Sequence, residues 1–384
     1  MGGPRIPEGG GAACAIGLRG RVFMDRMARV ISWHNPCTGG TDIGKIGVGI
    51  IGTGWVAGEH LRAWRANPHA EVRAICDLDP ERARAFAAEN QLQCAIVDNW
   101  EALVARDDVQ AVSITSPPNC HKTQAVAAAQ AGKHMLLEKA MATTVEDARA
   151  IRDAVAAAGV RSVVGFVLRW NPLFELIRVQ LADNTVGRVY YGEVDYWHGI
   201  GPWYKQYGWN VKKDVGVSSL LSAGLHAMDG LRWFMGGRIV EVTQYGTEIR
   251  GPEFAEYEYA PTTVTMCRFE DGRIGKVASG IACIQPYVFN INLVGEHGTI
   301  RNNQFFSKLK CPGQTGWATV PTILPDSGDV SHHPFTGEVA HLVECIQTGK
   351  ESHANVADAF LTHEVCFAAD LSGQTGKAVA LPMA

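Results

Sequence analysis

No stretch of 18 apolar residues occurs in this 384-residue chain, which excludes a hydrophobic helix spanning a membrane. Long basic runs are also missing and the net charge is −4, so nucleic acid is not an expected partner. The ten cysteines (14, 37, 76, 94, 120, 267, 283, 311, 345 and 366) form no CxxC pair, and several sit inside apolar runs. That pattern speaks against a disulfide framework or a zinc site and for buried thiols in a reducing, cytoplasmic setting. His332-His333 has no partner at ligand spacing, so no metal is expected. What is present is ordinary for a globular protein, with 46% hydrophobic and 19% charged residues, and its length exceeds what one core usually spans. Two domains are therefore expected.

Residues 1–44 are Gly-rich and aperiodic, and Arg19, Arg21 and Arg26 interrupt any apolar signal core, so the segment reads as a poorly ordered extension. From 45 to 165, strands alternate with helices. KIGVGII (45–51), EVRAIC (71–76), QAVSITS (110–116), HMLLE (134–138) and RSVVGF (161–166) have strand character. Helices are expected at 56–67, after the Asp79-Pro80-Glu81 start, after Asn99, over 121–131, and from a Thr143/Glu146 capping box to Gly159. This is the rhythm of an α/β Rossmann domain with a parallel sheet. From 166 to 384 the pattern changes to strands at 188–199, 238–249, 262–270, 273–283 and 287–295, with Asp271-Gly272 as a hairpin turn. The second domain is thus expected to be α+β with a mostly antiparallel open sheet. A loop at 311–334 and helices near 335–347 and 356–371 follow, with Gly349 and Asn355 as boundary residues.

Gly52-Thr53-Gly54-Trp55-Val56-Ala57 follows the first strand and opens a helix. Gly52 permits the tight turn, Gly54 lets a diphosphate approach the backbone, and the helix start supplies amide donors. A generic strand–helix turn would carry similar letters. Asp77 adds weight, because it ends the second strand 23 residues after Gly54, where a carboxylate can hold ribose hydroxyls and repel a 2′-phosphate. NAD rather than NADP is the expected cofactor. The loop Thr115-Ser116-Pro117-Pro118-Asn119, with His121 beyond it, closes the third strand on the same carboxyl edge and can line the nicotinamide ribose. Glu138 and Lys139 lie one strand further on. A lysine there would sit beside the nicotinamide and stabilise a developing alkoxide. A surface Glu-Lys dipeptide is the plain alternative.

The segments GIIGTGWVAGEH, AICDLDPERA, SITSPPNCH, AGKHMLLEKA and LLSAGLHAMDGLRWF, in this order, resemble the glucose–fructose oxidoreductase, inositol dehydrogenase and rhizopine-catabolism (Gfo/Idh/MocA) family. The resemblance runs from about Lys45 to the C-terminus. It implies an NAD(P)-dependent dehydrogenase acting on a secondary alcohol of a sugar, glycoside or cyclitol, with Lys139 as catalytic lysine and His226 as acid–base histidine. Two positions depart from the family pattern. Ala140 replaces the proline after Glu-Lys, leaving a trans or a strained bend at Lys139 as the expectation. Ser222 replaces the aspartate one turn before the histidine, so negative charge must come from elsewhere, with Asp195 and Asp214 as candidates.

On the helix, Asp229 has pair spacing to Arg232 and reads as structural. Trp197 to Trp209 packs five aromatics into thirteen positions, and Trp197 and Trp203 are candidates to cover the apolar face of a sugar ring; a subunit contact is the alternative. Arg169 and Asn171 at the domain junction, and Lys213, are further candidates for the substrate side, with Ser222 and His226. The expected activity is hydride transfer between a sugar, glycoside or inositol-like hydroxyl and NAD in a homo-oligomer, a dimer or tetramer. A redox-neutral NAD-dependent glycosidase and a non-catalytic sugar sensor are the alternatives on the same scaffold.

Overall fold

The computed structural model describes residues 44–325 and 333–383. The N-terminal extension, apart from residue 44, and His332 lie outside the described residues.

The first half is built as β1 (Ile46–Ile51), α1 (Trp55–Ala66), β2 (Ala70–Cys76), α2 (Pro80–Glu89), β3 (Ala95–Ile96), α3 (Trp100–Val104), β4 (Ala111–Ile114), α4 (His121–Gln130), β5 (His134–Leu137), α5 (Val145–Ala158) and β6 (Ser162–Val164). The strands run parallel in the order β3-β2-β1-β4-β5-β6. All residues of β1 and β4 are buried, as central strands covered by helices on both faces must be. The strand order reverses between β1 and β4, which opens a crevice at their carboxyl ends.

Local chemistry sets the helix starts. Asp79 accepts from the Glu81 amide with Pro80 in the first turn, and Asn99 accepts from the Ala102 amide. The cap of α5 is Thr144, bonded to the Asp147 amide, and not Thr143. The T-x-x-acid spacing occurs in two registers. The later one leaves Val145, Ala148, Ile151 and Val155 on the buried face.

The second half follows as α6 (Pro172–Ala182), β7 (Val189–Trp197), α7 (Tyr207–Asn210), a π-helical turn (Leu220–Gly224) continuing into α8 (Leu225–Met235), β8 (Ile239–Thr247), β9 (Thr262–Phe269), β10 (Ile274–Gly280), β11 (Val288–Gly295), β12 (Gly298–Arg301), β13 (Gln304–Ser307), β14 (Ala318–Thr319), α9 (Phe335–Thr348), α10 (Val356–Thr375) and β15 (Val379–Ala380). The sheet order is β14-β13-β12-β11-β7-β10-β9-β8-β15. Only the β7–β10 pair is parallel among the described pairings of this sheet. The sequence reading omitted α6 and the short strands β3, β12, β13, β14 and β15, which carry too few residues for a periodic signal.

Helix α8 covers the inner face of this sheet against β7 and β10. A side chain added at Gly224 would collide with Ser279, 2.5 Å away, so glycine allows the π turn to sit directly on β10. Helix α9 returns to pack on α1 and β5, and α10 packs on α5, α8 and β8. The two C-terminal helices thereby fasten the sheets together around the crevice.

Candidate active site

The carboxyl edge of the first sheet is shaped by its backbone. Gly52 has φ +89°, and a Cβ there would stand 2.9 Å from the Ser116 nitrogen, so glycine is required where the two loops meet. Gly54 begins α1 with no side-chain cap, no acidic residue occupies the first turn, and a Cβ at Gly54 would meet nothing within 4 Å. The amides of Trp55 and Val56 and the positive helix end therefore face an open cradle, which fits a diphosphate. Asp77 Oδ2 accepts from the Thr53 amide (2.7 Å) and hydroxyl (2.8 Å), which locks the glycine loop to the end of β2. Thr115 donates to the carbonyl of Gly52 (2.8 Å), and Ser116 donates to Gln124 (2.5 Å). Pro117 and Asn119 are exposed on the same edge.

His121 is fully buried and has no surface to offer a ligand. Its ring nitrogens lie 2.8 Å from the carbonyls of Ser116 and Ala140, so it ties the β4 loop to the turn after Lys139. Burial pushes its pKa below the ordinary value, against the pull of those two carbonyls.

Glu138 is likewise engaged inside the chain. Its Oε1 accepts from His60 Nε2 (2.9 Å) and its Oε2 from the Lys139 amide (3.1 Å). His60 Nδ1 in turn accepts from the Ser113 hydroxyl (3.2 Å), which accepts from Trp64 Nε1 (2.7 Å). Burial alone would push the Glu138 carboxyl up, but His60 and Lys139 more than offset it and hold it below the usual range. The Lys139–Ala140 peptide is cis. Lys139 Nζ donates to the carbonyl of Ser222 (2.8 Å), reaching from β5 to the π turn before α8. Burial lowers the Lys139 pKa, with Glu138 opposing.

One turn further along, His226 is 6% exposed and its Nδ1 is buried with no partner among the described residues. Tyr196 stacks on its ring at 6.4 Å, Phe166 meets it edge-on at 6.5 Å, and His333 lies at 6.5 Å. Burial, then the charges of Lys139 and His333, push the imidazole well below its ordinary pKa. Lys139 thus lines one cleft with Tyr196, and the His226 imidazole, held neutral, stacks on Tyr196 within the field of that ammonium. The cleft walls include Tyr196, Tyr204, Gln206, Trp209 and Asn210 beside Lys139 and Ser222. The Ser222 hydroxyl donates to Asn210 Oδ1.

Several sequence candidates lie elsewhere. Arg169 is buried in ion pairs with Asp229 and Asp358. Asn171 caps α6 through the Leu173 amide. Along β7, Gly192, Val194 and Tyr196 face the helices and the odd positions face outward, so Trp197 lies against Gly280 on the outer face. Trp203 is 62% exposed and packs on Phe254. Lys213 is exposed, its amide bonded to Glu258. Neither proposed substitute for the missing carboxylate reaches the cleft. Asp195 pairs with Lys276 (2.8 Å) on the outer face, and Asp214 is exposed. Sequence reasoning passed over Tyr196, Tyr204, Gln206, Trp209 and Asn210. Three of them, Tyr204, Gln206 and Trp209, lie within the aromatic segment it flagged, and alternation along β7 was the available signal for Tyr196.

A Rossmann sheet with an open diphosphate cradle, joined to a lysine–histidine cleft, defines a dinucleotide-dependent oxidoreductase. Two family models match: the oxidoreductase family with NAD-binding Rossmann fold over residues 46–166, and the GFO/IDH/MocA C-terminal domain over residues 174–301. The chain belongs to the Gfo/Idh/MocA family of oxidoreductases, with NAD as its cofactor. It is 24% identical over 319 residues to scyllo-inositol 2-dehydrogenase (NAD(+)) of Bacillus subtilis (strain 168), covering 81% of this chain and 89% of the relative. The crystal structure of an oxidoreductase domain protein from Kribbella flavida superposes with a TM-score of 0.79 at 28% identity, covering 89% of this chain and all of that one. A levoglucosan dehydrogenase in complex with NADH and levoglucosan shares the fold, with a TM-score of 0.80 at 22% identity over 88% of this chain and all of that one. No helix among the described residues is long and apolar enough to cross a membrane.

Proposed function

We propose that this enzyme oxidises a secondary hydroxyl of a sugar, glycoside or inositol-like polyol. The observation that carries the reading is that Lys139 lines the cleft beside the crevice of the first sheet while His226, close enough to feel its charge, stacks on the cleft wall Tyr196. The amides at Gly54 to Val56 would hold the diphosphate and Asp77 the ribose hydroxyls, where its carboxylate disfavours a 2′-phosphate. When bound, NAD supplies the hydride acceptor. His226, kept neutral by burial, accepts the hydroxyl proton, while Lys139 holds the oxygen and stabilises the charge that builds on it. Aromatic walls at Tyr196, Tyr204 and Trp209 suit the apolar face of a ring, and the amides of Gln206 and Asn210 suit its hydroxyls. The name of the B. subtilis relative agrees with a cyclitol as one candidate class.

NADH appearance against a panel of sugars, glycosides and inositols tests the reading. Lys139→Ala and His226→Ala should each lower turnover on the best substrate by roughly 10²–10⁴-fold, with NAD binding retained. Near-native rates in both variants would refute the role assignment. A homo-oligomer in a reducing cytoplasm is part of the proposal. It is supported by Val264, Met266 and Ile274, each at least 38% exposed on the outer face of the second sheet, and is checked by light scattering.

A further inference from the structure

We infer that His333 is a second substrate-facing imidazole, which binds the hydroxyl next to the one that His226 deprotonates and so makes a vicinal diol the required motif. The inference rests on the dehydrogenase reading above. His333 stands just before α9, and the sequence reading considered it only for a metal. Its ring lies 6.5 Å from His226, 6.2 Å from Tyr287 and 6.3 Å from Phe335. Its Nε2 is buried and has no partner among the described residues, as is true of His226 Nδ1.

Buried polar nitrogens without partners are rare, because each forfeits its hydration with nothing in return. The other deeply buried histidines show the usual outcome. His60 bonds Ser113 and Glu138, His121 reaches the carbonyls of Ser116 and Ala140, and His363 bonds Ala359 and Met141. His353 also has an orphaned nitrogen, but it belongs to the Trp170, Trp233 and His341 stack. Among the described residues, only His226 and His333 combine an orphaned ring nitrogen with the field of Lys139.

The chemistry of the cluster also selects the ligand. Burial, then the charges of Lys139 and His198, hold His333 at about 4, so its ring is neutral near pH 7. A neutral imidazole both donates and accepts, which matches a hydroxyl. The family's aspartate is Ser222 here, and that serine is bonded to Asn210. A pair of neutral imidazoles beside one ammonium can therefore hold two adjacent hydroxyls without any carboxylate.

The test uses the full-length enzyme saturated with NADH, a complex in which an alcohol binds but cannot react. Quenching of NADH fluorescence by scyllo-inositol and by levoglucosan reports affinity. His333→Ala should weaken binding of the probe that the wild type holds at least tenfold and raise KM more than it lowers kcat, with NADH affinity unchanged. His333→Gln, which keeps a group able to donate and accept, should recover most of the loss, and it carries the test if the alanine variant fails to fold. A monodeoxy analogue of the bound probe should bind wild type and His333→Ala about equally. Unchanged probe affinity in both variants overturns the role of His333 and leaves the dehydrogenase reading intact. A wild type that binds neither probe and turns over no polyol overturns both.

Discussion

His226 and Asp229 lie three positions apart on α8, both buried, in two clusters that use the same helix in opposite ways. The charged and hydroxyl groups bonded to Asp229 all find partners, with the orphaned Trp233 Nε1 and His353 Nδ1 left at the edge of the cluster. Arg169 donates to it through Nε (2.8 Å) and a terminal nitrogen (2.5 Å), and to Asp358 (2.5 Å). Thr362 donates to Asp229 (3.2 Å), while Arg232 reaches Asp358 and Thr362. Around His226 the polar atoms are left over, on His226 itself and on His333, with Lys139 held only by a backbone carbonyl and the nearby Glu138 charge. The Asp229 cluster ties α8 to α10 and to the segment before α6, whereas Lys139 reaches the His226 region from the first half of the chain. The saturated one has nothing left to offer a ligand and serves as a rivet. The unsaturated one has donors and acceptors in reserve, which is the condition for binding a reacting alcohol.

The sharpest way to break this comparison is to empty the rivet. Asp229 and Asp358 more than offset the burial of Arg169 and hold its guanidinium above its ordinary pKa. Arg169→Met leaves two carboxylates facing each other without their shared cation. Removing one partner of such a buried set costs about 3–5 kcal/mol, and urea unfolding should register a loss of that order. Lys139→Met, which removes a charge from the unsaturated cluster, should leave the unfolding midpoint close to wild type while abolishing turnover. If the two variants exchange these phenotypes, the division into rivet and reactive site is wrong.

That division also explains how much was legible beforehand. The nucleotide half is written locally: a glycine loop, an aspartate at a strand end and a lysine after a strand each follow from a few adjacent residues, and the parallel order follows from the alternation of elements. The lysine–histidine pair required the family resemblance, since nothing in the spacing of Lys139 and His226 brings them together. Arg169 was visible at the domain junction, but its carboxylate partners lie 60 and 189 positions away, so a structural ion cluster passed for a substrate contact. Trp197 and Tyr196 are neighbours, and only the phase of β7 decides which one faces the cleft. Glu193 and Asp195 at odd positions mark the outward face, a signal that the aromatic residues on both faces obscured. His333 lies just before α9, outside any periodic element that a sequence pattern could place.

A smaller effect separates the clusters by pH. His333 and His363 are held at about 4 and His353 at about 3, each mainly by burial, and His226 is also depressed. Unfolded, all four titrate near 6.5. The unfolded chain therefore binds more protons as pH falls below 6.5, and their contribution to stability, complete above that value, is lost toward pH 4. His121, His134 and His341 are lowered by burial as well, whereas Asp370, raised by burial to about 6, and Glu338 and Asp195, raised mainly by burial, run the other way and are outnumbered. The melting temperature should fall as pH drops below 6.5. His333→Gln removes one of the depressed histidines and should make the decline shallower, by up to roughly 1.4 kcal/mol per pH unit. A decline of unchanged steepness would mean that His333 is not a buried neutral ring.

The finest test moves charge without removing any reactive group. Ser222 sits one turn before His226, and its carbonyl holds Lys139 while its hydroxyl holds Asn210. Ser222→Asp introduces a carboxylate beside both the ammonium and the imidazole, and an opposite charge at that range favours the charged form of each. In the wild type the depressed pKa of His226 keeps the proton acceptor neutral below pH 6.5, so kcat/KM should stay level between pH 6 and 8. In the aspartate variant the acid limb should move upward by about one pH unit, so that activity is lost at a higher pH than in the wild type while activity at pH 8 changes little. An identical limb in both enzymes would mean that the proton leaves the substrate by a route other than His226. A limb that moves only in the variant would show that this chain runs its acid–base chemistry by burial, where a carboxylate would otherwise set the pKa.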